Sequence, residues 1–132
     1  MKIVVNSLYH SRLMKLQKLI DEFKSFLIVQ KQRSNHTVSN YLTDIKQFIT
    51  IVQLDCFDQI NDPIIERYLT RLNQLQLSNQ SIYRKLVSLD QFWKFLILKR
   101  MASNNPWEMI KRPKLKPKLP VFVEEKTVLE LL

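Results

Sequence analysis

Apolar residues recur every three or four positions along most of this chain, the period of one helix face. Between about Leu13 and Val29 they fall at Leu13, Leu16, Ile20, Phe23 and Leu27, which predicts a first helix. The polar stretch Gln30 to Asn35 breaks the pattern. Thr37, a good helix-starting residue, then opens a second run through Val38, Tyr41, Leu42, Ile45, Phe48, Ile49 and Val52. Asp62-Pro63 predicts a third start, because Asp caps orphan amides and Pro at the first helical position loses no needed hydrogen bond. Ile64, Ile65, Tyr68, Leu69, Leu72 and Leu75 form its inward stripe. A fourth helix is predicted from Ser78 or Asn79 to about Arg100, with Ile82, Leu86, Leu89, Trp93 and Leu96 inward. Asn104-Asn105-Pro106 ends it and opens a short turn of helix through Ile110.

The pattern then changes character. Residues Lys111 to Pro120 hold three prolines, which prohibit a regular helix, and five basic side chains, which repel one another into an extended strand anchored by nothing apolar except Leu115 and Leu119. From Val121 to Leu132 an apolar and acidic pattern restarts, as a new helix would. The expected organisation is a helical domain over 1–110, a basic Pro-rich linker over 111–120, and the first segment of a further domain over 121–132. The fold class is all-α, a bundle of four to five helices.

Composition narrows this further. Gly is absent and Ala occurs once, so backbone positions with positive φ should be few or carried by Asn. The net charge of +9 and pI near 9.8 attract an acidic partner. Nucleic acid is the commonest such partner for a basic domain, although ribosomal and membrane-surface proteins share the charge. Cys56 is the only cysteine, which excludes an intrachain disulfide, suits a small core position and points to a reducing cytoplasm. No apolar run reaches the ~18 residues that span a bilayer, and no signal peptide is expected, because polar residues from Asn6 through Lys18 break any hydrophobic region. Large apolar groups are scarce beside the basic ones, which argues against a membrane partner. The two histidines are far apart with no Cys or carboxylate cluster to join them, so no metal site is expected.

Two helix faces carry candidate chemistry. Opposite the second apolar stripe stand His36, Asn40, Thr43 and Gln47, with Thr37 at the helix start. These short uncharged donors and acceptors suit close approach to bases and phosphates, and they also fit a solvated polar face. Opposite the fourth stripe lie Gln80, Arg84, Val87, Gln91 and Lys94, flanked by Ser81, Lys85 and Ser88. Arg grips guanine edges or phosphate bidentately, Lys and Ser hold phosphates, and a helix N-terminus offers free amides; an ordinary basic exterior is the competing reading. Phe92, Trp93 and Phe95 sit beside the core stripe and are expected to pack, as is Tyr41 with its hydroxyl at the surface.

Several short pieces appear together in order: His36-Thr37-Val38 with Tyr41, Asp44 and Phe48; then Ser81, Arg84-Lys85-Leu86, Leu89, Phe92 and Phe95-Leu96; then Asn105-Pro106, Pro113-Lys114 and Leu119-Pro120. This order resembles the N-terminal core-binding, or SAM-like, domain of tyrosine site-specific recombinases, especially the Xer and phage-integrase branch. The resemblance covers roughly Leu13 to Leu132. It implies a helical bundle whose second and fourth helices cross the major groove, a linker along DNA that supplies Lys111, Arg112, Lys114, Lys116 and Lys118 to phosphates, and a catalytic domain whose first segment is 121–132. Two departures stand out: Asp90 replaces a residue that is often basic, and Val87-Ser88 reverse the usual small-polar, small-apolar order, which points to a distinct target sequence.

In that family strand exchange needs no cofactor. A tyrosine attacks a phosphodiester while arginines, a lysine and His or Trp groups stabilise the charge. The implied partners are a duplex recombination site and other recombinase protomers in a synaptic tetramer, with the isolated domain monomeric. The family's His-x-x-Arg signature fails at both histidines, since His10 is followed by Leu13 and His36 by Ser39. Tyr9, Tyr41, Tyr68 and Tyr83 therefore lack a catalytic neighbourhood, and this chain is expected to bind DNA while its parent protein carries out the reaction. A stand-alone helical DNA-binding regulator or adaptor is the rival reading.

Overall fold

The computed structural model describes residues 2–54 and 60–115, with side chains from Lys15 onward. Cys56, Lys116, Lys118 and the segment 121–132 lie outside the described residues, as do the side chains of Tyr9, His10 and Leu13. The described residues form four helices: α1 (Lys2–Val29), α2 (Asn35–Val52), α3 (Asp62–Gln74) and α4 (Asn79–Leu98). Helix α2 packs against each of the other three. The first helix begins well before Leu13, because no proline or glycine interrupts its N-terminal stretch.

Three polar side chains set the later helix starts. Ser34 Oγ accepts from the Thr37 N–H at 3.2 Å, Asn61 Oδ1 from the Ile64 N–H at 3.0 Å, and Ser78 Oγ from the Ser81 N–H at 3.1 Å. The caps of α2 and α3 are thus Ser34 and Asn61, ahead of the expected Thr37 and Asp62. Pro63 stays in the first turn, where its missing N–H costs nothing.

Among the described residues the positive-φ positions are Gln32, Gln53, Gln76 and Arg100, none of them Asn. After α1, α2 and α4 the left-handed residue lets the next N–H reach back to close the helix: Arg33 to Leu27 (3.0 Å), Leu54 to Ile49 (3.0 Å) and Met101 to Leu96 (2.8 Å). Without glycine, the closing hydrogen bonds offset a cost of about 1–2 kcal/mol per left-handed residue.

The core follows the predicted stripes. Leu16, Ile20, Phe23 and Leu27 of α1 meet Val38, Ile45, Phe48 and Val52 of α2, Ile65, Tyr68 and Leu72 of α3, and Leu86, Leu89, Trp93 and Leu96 of α4. Phe92 and Phe95 are buried, Phe92 lying edge-on to Phe23 with centroids 5.1 Å apart. Tyr41 is half-buried and stacks on Phe23. Leu75, expected inward, is 40% exposed because it caps α3 where the chain turns away.

Beyond α4, residues 105–110 form i→i+3 turns, not a continuing helix. They bring in a core member that periodicity did not reveal. Trp107 is 1% exposed and packs edge-on against Phe48 (5.1 Å), Tyr68 (5.9 Å) and Trp93 (5.8 Å).

Candidate nucleic-acid interface

Helices α2 and α4 are joined by a fully buried carboxylate. Asp44 Oδ1 accepts from Arg84 Nη2 at 3.0 Å and Lys85 Nζ at 3.1 Å; Oδ2 accepts from Arg84 Nε at 3.3 Å and Ser88 Oγ at 2.7 Å. Four donors saturate the lone pairs of one carboxylate. One Asp against two cations leaves the cluster with a net positive charge, which emerges on the outer side of α4 because the Arg84 side chain is 45% exposed and that of Lys85 only 7%.

This arrangement corrects part of the expected surface. Lys85 and Ser88 are buried and engaged inside the bundle, where they cannot face a duplex as the protein is folded. Helical rotation alone placed them beside the exposed row. The distant Asp44 makes burial of the Lys85 ammonium tolerable and draws it inward.

The remaining predicted residues flank the same junction. On α2, Asn40, Thr43 and Gln47 lie within a turn of Asp44, and Asn40 Nδ2 meets His36 Nε2 at 3.3 Å. His36 and Thr43 are exposed; Asn40, Gln47 and Thr37 are half-buried, the last tied to Ser34 through its hydroxyl. On α4, Gln80 and Lys94 are exposed, Ser81 and Gln91 half-buried, all on the side that carries Arg84.

A second buried carboxylate organises the far half of α4. Asp90 accepts from Asn105 Nδ2 at 2.7 Å, pairs with Lys94 Nζ at 3.1 Å and reaches Arg112 Nη2 at 3.5 Å. Arg112 also lies over the Tyr83 ring, 5.6 Å from its centroid. Asn105 in turn accepts from the Trp107 N–H at 3.0 Å. The start of the expected free linker is therefore fixed to the bundle by polar anchors, and Arg112 and Pro113 are half-buried. With Lys111 and Lys114 these two residues wall a groove of about 400 Å³ over Leu69, Leu72, Ile82 and Leu86. Lys111 and Lys114 remain exposed.

Tyr68 sits below this face. Burial pushes its hydroxyl above the ordinary phenol range, the Asp44 charge adds to the rise, and Arg84 partly opposes it. That hydroxyl and the Trp107 indole N–H are buried and have no hydrogen-bond partner among the described residues.

Neither carboxylate could be assigned from sequence. Asp44 stood out only within the resemblance and Asp90 only as a departure from it. A polar residue interrupting an apolar stripe was the available signal, but its partners lie 40, 41, 44 or 15 residues away.

Residues 20–100 match the model of the phage integrase N-terminal SAM-like domain. The chain belongs to that family. Similar proteins carry the name tyrosine recombinase. The SAM-like chain is 33% identical over 118 residues to tyrosine recombinase XerC of Lacticaseibacillus casei, which covers 86% of this chain and 40% of that protein. It is 34% identical over 114 residues to XerC of Pediococcus pentosaceus, covering 83% and 38%. A tyrosine recombinase of Pseudothermotoga lettingae is 29% identical over 121 residues, covering 89% and 42%. The SAM-like chain thus spans about 40% of the length of these relatives. No solved structure matches it. Among the described residues, no helix is long and apolar enough to cross a membrane.

Proposed function

We propose that this SAM-like chain binds duplex DNA in a sequence-directed manner, as the N-terminal half of the clamp that a tyrosine recombinase closes around its recombination site. The observation that carries the reading is the Asp44–Arg84 junction. It sets the uncharged row of α2 beside the Arg84 row of α4, with net positive charge outward. His36, Thr37, Asn40, Thr43 and Gln47 offer short hydrogen-bonding groups from α2. Gln80, Ser81, Arg84 and Gln91 offer them from α4. Lys94, Lys111, Arg112 and Lys114, continued by Lys116 and Lys118, add charge for phosphates.

Strand exchange belongs to the whole protein. On this reading a further domain supplies the nucleophilic tyrosine and its cationic partners, and other protomers complete the synaptic assembly. The present chain contributes grip and address.

The test is fluorescence anisotropy of the purified chain with a labelled duplex at increasing salt. Half a clamp should bind weakly, and log K should fall with log salt by about 0.9 for each phosphate neutralised. Failure to bind at low salt, or affinity indifferent to salt, would refute the proposal.

A further inference from the structure

We infer that Asp44, which is fully buried and touches no solvent, is a positioning residue for sequence discrimination through Arg84; this rests on the duplex-binding reading above. The geometry is specific. Asp44 takes the Nε and one Nη2 hydrogen of the guanidinium, so three of its five N–H groups remain, two of them side by side on the Nη1–Nη2 edge. Lys85 and Ser88 fill the other sites on the carboxylate and hold it in turn. An arginine held along its Nε–Nη2 edge presents the adjacent Nη1–Nη2 pair at a fixed place and angle. A guanine offers a matching acceptor pair in the major groove, whereas a phosphate accepts a cation from many directions. Fixing the fork therefore favours one base pair over others and contributes little to affinity for DNA in general.

Charge makes the consequence distinctive. Asp44→Asn removes one negative charge and takes the formal net charge from +9 to +10. Attraction to any duplex should be maintained or strengthened. Arg84, released from its two-point hold, should lose its preference. A residue that merely supported the fold would lower binding to all duplexes together.

The experiment uses the whole chain and a duplex recovered by its selection from a randomised pool, against a scrambled duplex of equal composition. For Asp44→Asn we expect the ratio of affinities for the two duplexes to fall about tenfold or more, the scale of one bidentate base contact, with scrambled binding equal or tighter. Circular dichroism checks that the variant is folded. If it is not, Arg84→Lys decides, since it keeps the charge opposite Asp44 but cannot make the two-point hold, and the same loss of ratio is expected. An undiminished ratio in folded Asp44→Asn, or in Arg84→Lys where that variant decides, overturns the inference alone. A wild-type chain that binds no duplex, or binds both duplexes equally, overturns the functional reading and the inference with it.

Discussion

Replacing Trp107 with Ala should destabilise the domain far more than its place beyond the last helix implies. The indole is 1% exposed and lies edge-on to Phe48, Tyr68 and Trp93, with centroids 5.1 to 5.9 Å away. Removing a buried aromatic ring of this kind costs about 3–5 kcal/mol, transfer and cavity terms together. The three edge-on contacts, at about 0.5–1.5 kcal/mol each, place the loss toward the upper end, though they overlap with the area term and do not simply add. A domain of this size has roughly 5–15 kcal/mol in total. Trp107→Ala should therefore bring the folded state close to its limit. Urea unfolding followed by far-UV circular dichroism measures the change as a lower midpoint at nearly constant slope. Met109, 87% exposed in the same segment, supplies the control: Met109→Ala should stay within about 0.5 kcal/mol. A loss below about 1 kcal/mol for Trp107→Ala would mean that residues 105–110 rest on the bundle without belonging to it.

Two further outcomes follow from the buried polar groups. Tyr68→Phe removes a desolvated hydroxyl that has no hydrogen-bond partner among the described residues, so it should be neutral or stabilising by up to about 1 kcal/mol in the same urea assay. Because the folded pKa of Tyr68 lies above its ordinary 10.0, the unfolded chain loses that proton first as pH rises, and stability should fall above pH 10 with a slope that Tyr68→Phe reduces; an unchanged slope would contradict this. Asp90→Asn should loosen Arg112 and speed tryptic cleavage after Lys111 several-fold, while cleavage after the exposed Lys114 changes little. Equal rates in both proteins would show that Asp90 does not hold the chain there.

What sequence made legible was whatever repeats. The stripes Leu16, Ile20, Phe23, Leu27 and Ile45, Phe48, Val52 are buried as their spacing predicts, because a single helix must turn those positions to one side. The starts of α2, α3 and α4 were legible to within a few residues, whereas α1 begins well before the expected Leu13. Ser34 and Thr37, or Asn61 and Asp62, are rival caps on chemistry alone, and only the hydrogen bond selects between them. The fate of Lys85 was not legible. Its spacing puts it beside the exposed row, and burial depends on a partner 41 residues earlier that no local pattern announces. Trp107 escaped for the opposite reason, since a lone aromatic after Pro106 belongs to no period. Its contacts depend on how the Asn105 and Asp90 hydrogen bonds turn the chain back onto the bundle.

The Asp44 cluster raises a question that stability does not answer. Taking a carboxylate and an ammonium out of water costs several kcal/mol per ion, and well-packed apolar residues in place of such a cluster are often as stable or better by about 1–4 kcal/mol. The bundle around it is already rich in apolar contact, with Ile45, Phe48 and Leu89 fully buried beside the charged positions. Cohesion between α2 and α4 therefore gives a weak reason for this chemistry. A geometric reason is stronger: among the cationic side chains of α4, Arg84 is the one held at two points by a buried group while almost half of it stays exposed. Lys94, with one contact to Asp90 and 55% exposure, keeps the freedom of a point charge. A surface that needed only affinity could be built from lysines like Lys94 and the net charge of +9. The added cost of the Asp44 cluster is intelligible if one position on α4 must discriminate, and that position is Arg84.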